Sequence, residues 1–168
     1  MRLAVAILAT LGVLPAQAGW RQTEWGESLA AVRAVLPAAR STTAATRRNG
    51  AMRLFGVPML VLGTTADGAP ATLSFYFADG KLTAVKMTVV APTDPAKLDG
   101  AAEWLLSQYG SPVHEDRYIA GDCATTLVLW RDVTHDMLVS EFAARCIRRA
   151  DEMRVFYAPI STAETDGY

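Results

Sequence analysis

The order helix, about three strands, helix, about three strands predicts an α+β domain, with two helices packed on one face of a single antiparallel sheet of about 5–6 strands. Three observations carry that expectation. An amphipathic segment follows Trp25, an Asp-Gly hairpin signal sits at Asp79-Gly80, and a second helical stripe stops at Gly110 before another series of β-like segments.

Trp25-Gly26-Glu27-Ser28 opens the first helix. Ser28 suits the N-cap, because its hydroxyl can accept from a backbone N–H left free in the first turn. Leu29, Val32, Val35 and Leu36 recur at helical spacing as one apolar stripe, and Pro37 ends it. Ala38 to Gly50 is small and polar and reads as a loop or an irregular strand entry. Met52 to Leu62 is apolar but interrupted by Gly56 and Pro58, which fits a bulge or a sheet edge. After the turn at Ala66-Asp67-Gly68, Thr72 to Phe77 sets Leu73, Phe75 and Phe77 against Thr72, Ser74 and Tyr76, the period of a strand. Asp79-Gly80 favours a two-residue hairpin turn. Lys81 to Val90 is the return strand, with Leu82, Val85, Met87 and Val89 as core positions and a break in the alternation near Ala84.

Thr93 or Asp94 can cap the second helix, with Pro95 in its first turn. Leu98, Ala102, Leu105 and Tyr109 share one face, Gly110 fits the left-handed position that closes a helix, and Pro112 enforces the stop. His114-Glu115-Asp116 and Gly121 read as a loop leading to Cys123. Thr125 to Trp130 is a strand, Arg131 to Thr134 a turn, His135 to Arg145 a strand and Met153 to Tyr157 the last strand. Cys123 and Cys146 lie at nearly equal distances from the turn around Val133, so folding this hairpin sets them side by side on paired strands. A disulfide is the expected use of two cysteines in an exported chain. It closes a loop of about 24 residues and contributes about 3 kcal/mol in the chain-entropy account. Zinc wants four ligands, and only His114 and His135 accompany the two cysteines; the C-x-x-C spacing of a redox pair is absent.

The first residues predict an address. Arg2 is followed by an apolar run to Leu14 and then by Pro15-Ala16-Gln17-Ala18, the order of a cleavable secretory signal peptide cut after Ala18. The run is shorter than the roughly 20 apolar residues of a membrane span, and no Cys stands at the cleavage site to receive a lipid. The expected organisation is therefore a signal peptide at 1–18, a single α+β domain at 19–160 and a flexible tail at 161–168. The expected location is periplasmic or secreted, with no membrane span and no lipid anchor. A net charge of −1 offers no general attraction to nucleic acid or anionic membranes.

Trp25-Gly26-Glu27-Ser28 with Val32, the run Phe75-Tyr76-Phe77-Ala78-Asp79-Gly80-Lys81-Leu82, the stop Tyr109-Gly110-Ser111-Pro112, and Trp130 occur in that order. In this the chain resembles small exported bacterial α+β domains, the β-lactamase inhibitor protein repeat and the small outer-membrane assembly lipoprotein. The resemblance implies two helices against a sheet and a role as an inhibitor or assembly accessory. The chain departs from the lipoprotein pattern in lacking the lipidated Cys. The shared positions are structural, so no binding residue is carried over.

Motifs for acyl-transfer, nucleotide, zinc-protease and EF-hand chemistry are absent, and no cofactor is implied. His114 beside Glu115 and Asp116 could serve as a general base or lie in a solvated loop; His135-Asp136 reads as a hairpin-end pair. Arg145, Arg148, Arg149 and Arg154, joined by Arg47 and Arg48, form an anion site or a solvated strand end. Tyr76 points away from the face of Phe75 and Phe77, either as an exposed binding aromatic or half-buried by a neighbour. The leading expectation is a non-enzymatic module that binds a protein or envelope component through an open sheet face, with Tyr76, Arg47 and Arg48 as candidate contacts. The alternatives are a carrier of a small apolar ligand held between helices and sheet, and a hydrolase using His114 with Glu115 or Asp116.

Overall fold

Ser28 and Thr43 start the first two helices in the same way, each with an extended backbone and a side-chain oxygen accepting from the N–H three residues on, Ala31 and Thr46. They begin α1 (Leu29–Val35) and α2 (Ala44–Asn49), on either side of the short strand β1 (Arg40–Ser41). The computed structural model describes residues 20–91, 96–148 and 150–161. The expected signal peptide, the caps Thr93, Asp94 and Pro95, and residues 162–168 of the expected tail lie outside them.

Three long strands follow, β2 (Val57–Ala66), β3 (Ala69–Ala78) and β4 (Lys81–Ala91). Both turns between them are Asp-Gly pairs with positive φ at each residue, Asp67-Gly68 and Asp79-Gly80, as a tight hairpin requires. The interruption read at Pro58 is a bulge between Pro58 and Leu60, and the break near Ala84 is a second one, in which Thr83 is the extra residue opposite Tyr76 and Phe77. Helix α3 (Ala96–Tyr109) then crosses over to β5 (His114–Ala120), β6 (Cys123–Asp132), β7 (Met137–Cys146) and β8 (Asp151–Ala158).

All eight strands form one antiparallel sheet in the order β1-β2-β3-β4-β8-β7-β6-β5. This corrects the expected two helices on a sheet of five or six strands: the sheet has eight strands and the described residues hold three helices. The two missed strands and the extra helix share a cause. Every residue of β1 and β5 is exposed and α2 buries none of its residues, so none imprints an apolar period on the sequence. The segment from His114, expected to be a loop, is instead the edge strand β5.

The core lies between the sheet and two of the helices. Leu60, Phe75, Val85, Tyr157, Val139 and Trp130 form one cross-strand row that is nearly closed to solvent. It packs in a single cluster with Val32 of α1, Leu98, Ala101 and Leu105 of α3, and Trp20. Trp130 also donates from Nε1 to the carbonyl of Gly110 at 2.9 Å, tying the end of α3 to β6. The opposite face carries a smaller cluster in which residues 52–55 fold over the sheet, with Phe55 against Tyr76, Ala84 and Ala158. Gly56 makes that fold-over possible. It has φ +76°, and a Cβ there would collide with the Phe77 carbonyl.

Cys123 and Cys146 are directly paired residues of β6 and β7, joined as a disulfide with Cα atoms 4.1 Å apart. The hairpin is thus closed at one end by its turn and at the other by a covalent bond. No helix among the described residues is long and apolar enough to cross a membrane.

Candidate functional site

Strand register brings the chemistry of the second half together. Glu115, Val128, Glu141 and Val155 are successive partners across β5, β6, β7 and β8; Arg117, Thr126, Ala143 and Met153 form the next row on the same face. Helix α3 covers this face over its inner strands. Towards the β5 edge it leaves a groove of about 440 Å³, lined on the helix side by Leu98, Asp99, Ala102 and Leu106. That volume lies within the range of small-molecule sites.

The groove has an apolar floor and five ionisable side chains. Arg117 donates from Nε to Glu115 Oε1 at 2.8 Å, and Arg145 pairs with Asp99 across from β7 to α3. Glu141 is left over. It is only 4% exposed and has no hydrogen-bond or ion-pair partner among the described residues. Burial, reinforced by the nearby Glu115 charge, raises its carboxyl from 4.5 to about 7. An unpaired acid on a core position of an inner strand opposes stability, and a strongly shifted group lining a groove is a candidate functional group.

Sequence reasoning passed over Glu141. Met137, Val139, Glu141 and Ala143 alternate on one face of β7, so the signal was a charge in phase with a buried apolar row.

Of the residues singled out from sequence, Glu115 and Arg145 line the groove and the others are placed elsewhere. Tyr76 does point away from Phe75 and Phe77, but it is 1% exposed beneath Phe55, so it presents no surface to a partner. Arg47 donates to the Thr42 carbonyl at 2.8 Å, which ties α2 to the chain before it, while Arg48 is exposed on the same short helix. His114 and Glu115 are consecutive in β5, so their side chains point to opposite faces, His114 beside Leu129 and away from the groove. Of the arginine cluster, Arg145 serves the groove, Arg154 pairs with Glu152, Arg148 is exposed, and Arg149 lies outside the described residues. His135 Nδ1 meets Asp132 at 2.7 Å beside a second recess of about 290 Å³ lined by Trp20, Arg21, Trp104 and Tyr109. There the Arg21 guanidinium already stacks over Trp20 at 4.7 Å, and burial pushes the Tyr109 hydroxyl up to about 12.

The uncovered part of the far face, away from α1 and α3, holds half-buried Leu127, Leu129 and Phe142, while Phe156 stacks against Phe55. Lys86 and Arg154 lie over the rings of Phe156 and Phe142.

Comparison with known proteins finds no matching family, no matching curated protein and no matching solved structure. The likeness to small exported inhibitor and assembly domains therefore rests on the short motifs quoted above.

Proposed function

We propose that this chain is an exported binding protein that holds a small molecule with an apolar body in the groove between α3 and strands β5 to β8. One observation carries this reading: the helix covers the inner strands closely but leaves a groove of ligand size, floored by Val128, Trp130 and Met153, around a buried carboxyl. Export is supported by the signal-peptide pattern of the sequence at residues 1–18, and the Cys123–Cys146 disulfide is compatible with an oxidising compartment. The groove sets the Glu141 carboxyl above an apolar floor and flanks it with the Glu115–Arg117 and Asp99–Arg145 ion pairs, so it offers both apolar contact and a few polar groups to orient a ligand.

Ala102→Trp tests the reading, because a large ring on the groove side of α3 fills the space a ligand needs. The wild-type chain is expected to bind a neutral apolar dye such as N-phenylnaphthylamine with enhanced fluorescence. The filled variant, with an unchanged circular dichroism spectrum, is expected to lose that signal. Equal dye binding by both proteins would overturn the assignment of the groove.

The far face supports a second reading, the expected module that engages a protein through its open sheet. Its uncovered apolar residues with stacked cations favour this, and Phe142→Asp is the variant that tests it by loss of partner capture. Tyr76 has no part in that surface.

A further inference from the structure

We infer that the ligand of this groove carries one cationic group, a primary ammonium or a guanidinium, which pairs with Glu141 while its apolar body lies against Val128 and Met153. The inference rests on the groove reading and names the class of molecule that fits it.

The groove lining holds three acids and two bases. Asp99 on α3 and Glu115 on β5 are acids; Arg145 on β7 and Arg117 on β5 are bases, and these four close into two ion pairs. Strand β6 contributes Thr126, Val128 and Trp130, and β8 contributes Met153, none of them charged. Glu141 is therefore the one acid of the lining without a basic partner, and Glu115 stands two strands away on the same row, with only Val128 between them. A ligand cation would remove both costs at once: the desolvated charge of Glu141 would gain a partner, and its repulsion by Glu115 would be offset. An anionic ligand would add a third negative group to the row. A neutral ligand would leave the unpaired acid as it is.

Proton uptake and release make the pairing visible. Glu141, without a basic partner, holds its proton up to about pH 7. Binding an ammonium at pH 6 therefore expels that proton, because a cation at hydrogen-bond distance strongly favours the carboxylate.

The test uses the mature chain and three probes of matched length: octylammonium, octanol and octanoate. Titration calorimetry at pH 6 is expected to show octylammonium binding at least tenfold more tightly than octanol, with octanoate weakest. Repeating it in buffers of different ionisation enthalpy is expected to show release of close to one proton per amine bound. Glu141→Gln is expected to bind octylammonium and octanol equally and to release no proton. Octanoate binding as tightly as the amine, or a preference for the amine that survives Glu141→Gln, would overturn the inference while leaving the groove a binding site. Binding of none of the three probes would overturn the groove reading and the inference together. If Glu141→Gln fails to fold, the buffer dependence of the wild-type chain decides alone, and absence of proton release counts against the pairing.

Discussion

Glu141 shows how one side chain can be out of keeping with its place. Its neighbours along the strand face are Val139 and Ala143, and its cross-strand partners are Val128 and Val155. The cost of that position depends on pH. Below about pH 4.5 both the folded and the unfolded chain hold the proton, and the residue costs little. Between there and about pH 7 the unfolded chain ionises while the folded one keeps its proton, so stability falls as pH rises. Above that range the full penalty is present, about 3 kcal/mol for a shift of this size. Glu141→Gln is therefore expected to match the wild type near pH 4 and to exceed it by up to about 3 kcal/mol at pH 8. Urea denaturation of both proteins at the two pH values measures this; parallel pH profiles would contradict it. Tyr76 presents the opposite case. A position that sequence alone offered as a binding aromatic is sealed under Phe55, and Tyr76→Ala is expected to cost about 3–5 kcal/mol by opening a cavity. The same denaturation experiment reads it out, and a loss under 1 kcal/mol would show that the cover is loose.

Elements with a buried side were legible, and elements without one were not. Strand β3 was readable because Leu73, Phe75 and Phe77 are buried on one face, and β4 because Leu82, Val85, Met87 and Val89 are. Even its irregularity showed, since the extra residue Thr83 displaces the alternation where it broke in the sequence. The Thr83 hydroxyl then donates to the Phe55 carbonyl at 2.7 Å, so the bulge also anchors the segment over Tyr76. Strand β5 gave no such signal, because an edge strand can be exposed along its whole length and still complete its ladder. That omission hid the groove, for Glu115 and Arg117 are half of its ion-pair set. The hairpin of β6 and β7 was predicted from the symmetry of its cysteines about the turn, and the direct pairing of Cys123 with Cys146 bears out that pairing. Replacing both cysteines with alanine is expected to lower stability by about 3 kcal/mol. The difference between urea midpoints of the oxidised wild type and the double variant measures it, and indistinguishable midpoints would mean that the strand ladder alone confines the hairpin.

At the scale of the whole molecule, two antiparallel meanders share one helix layer. The first, β2 to β4, carries most of the large core residues under α1 and α3; the second, β5 to β8, carries the groove. Their order in the sheet was not readable from the chain, because the step from β4 to β8 joins residues some 70 positions apart and no local pattern records which edges meet. Strand β8 makes that junction, with Val155 pairing Met87 on one side and Glu141 on the other. A chain ending at Ala150 is expected to lose the folded state, not merely a part of it, because Val155 and Tyr157 belong to the common core. Loss of cooperative urea unfolding in that truncated chain is the outcome to look for; a cooperative transition of undiminished midpoint would show that the meanders fold without their junction.

The position of β8 also bears on the order of assembly. It is central in the sheet yet follows the other seven strands in sequence, so both meanders can pair internally before it joins them. Until β8 is in place, one edge of β4 and one edge of β7 stand unpaired. Unpaired edges of that length are templates for strands of other chains, so the interval before β8 docks is the one in which this protein is most exposed to aggregation.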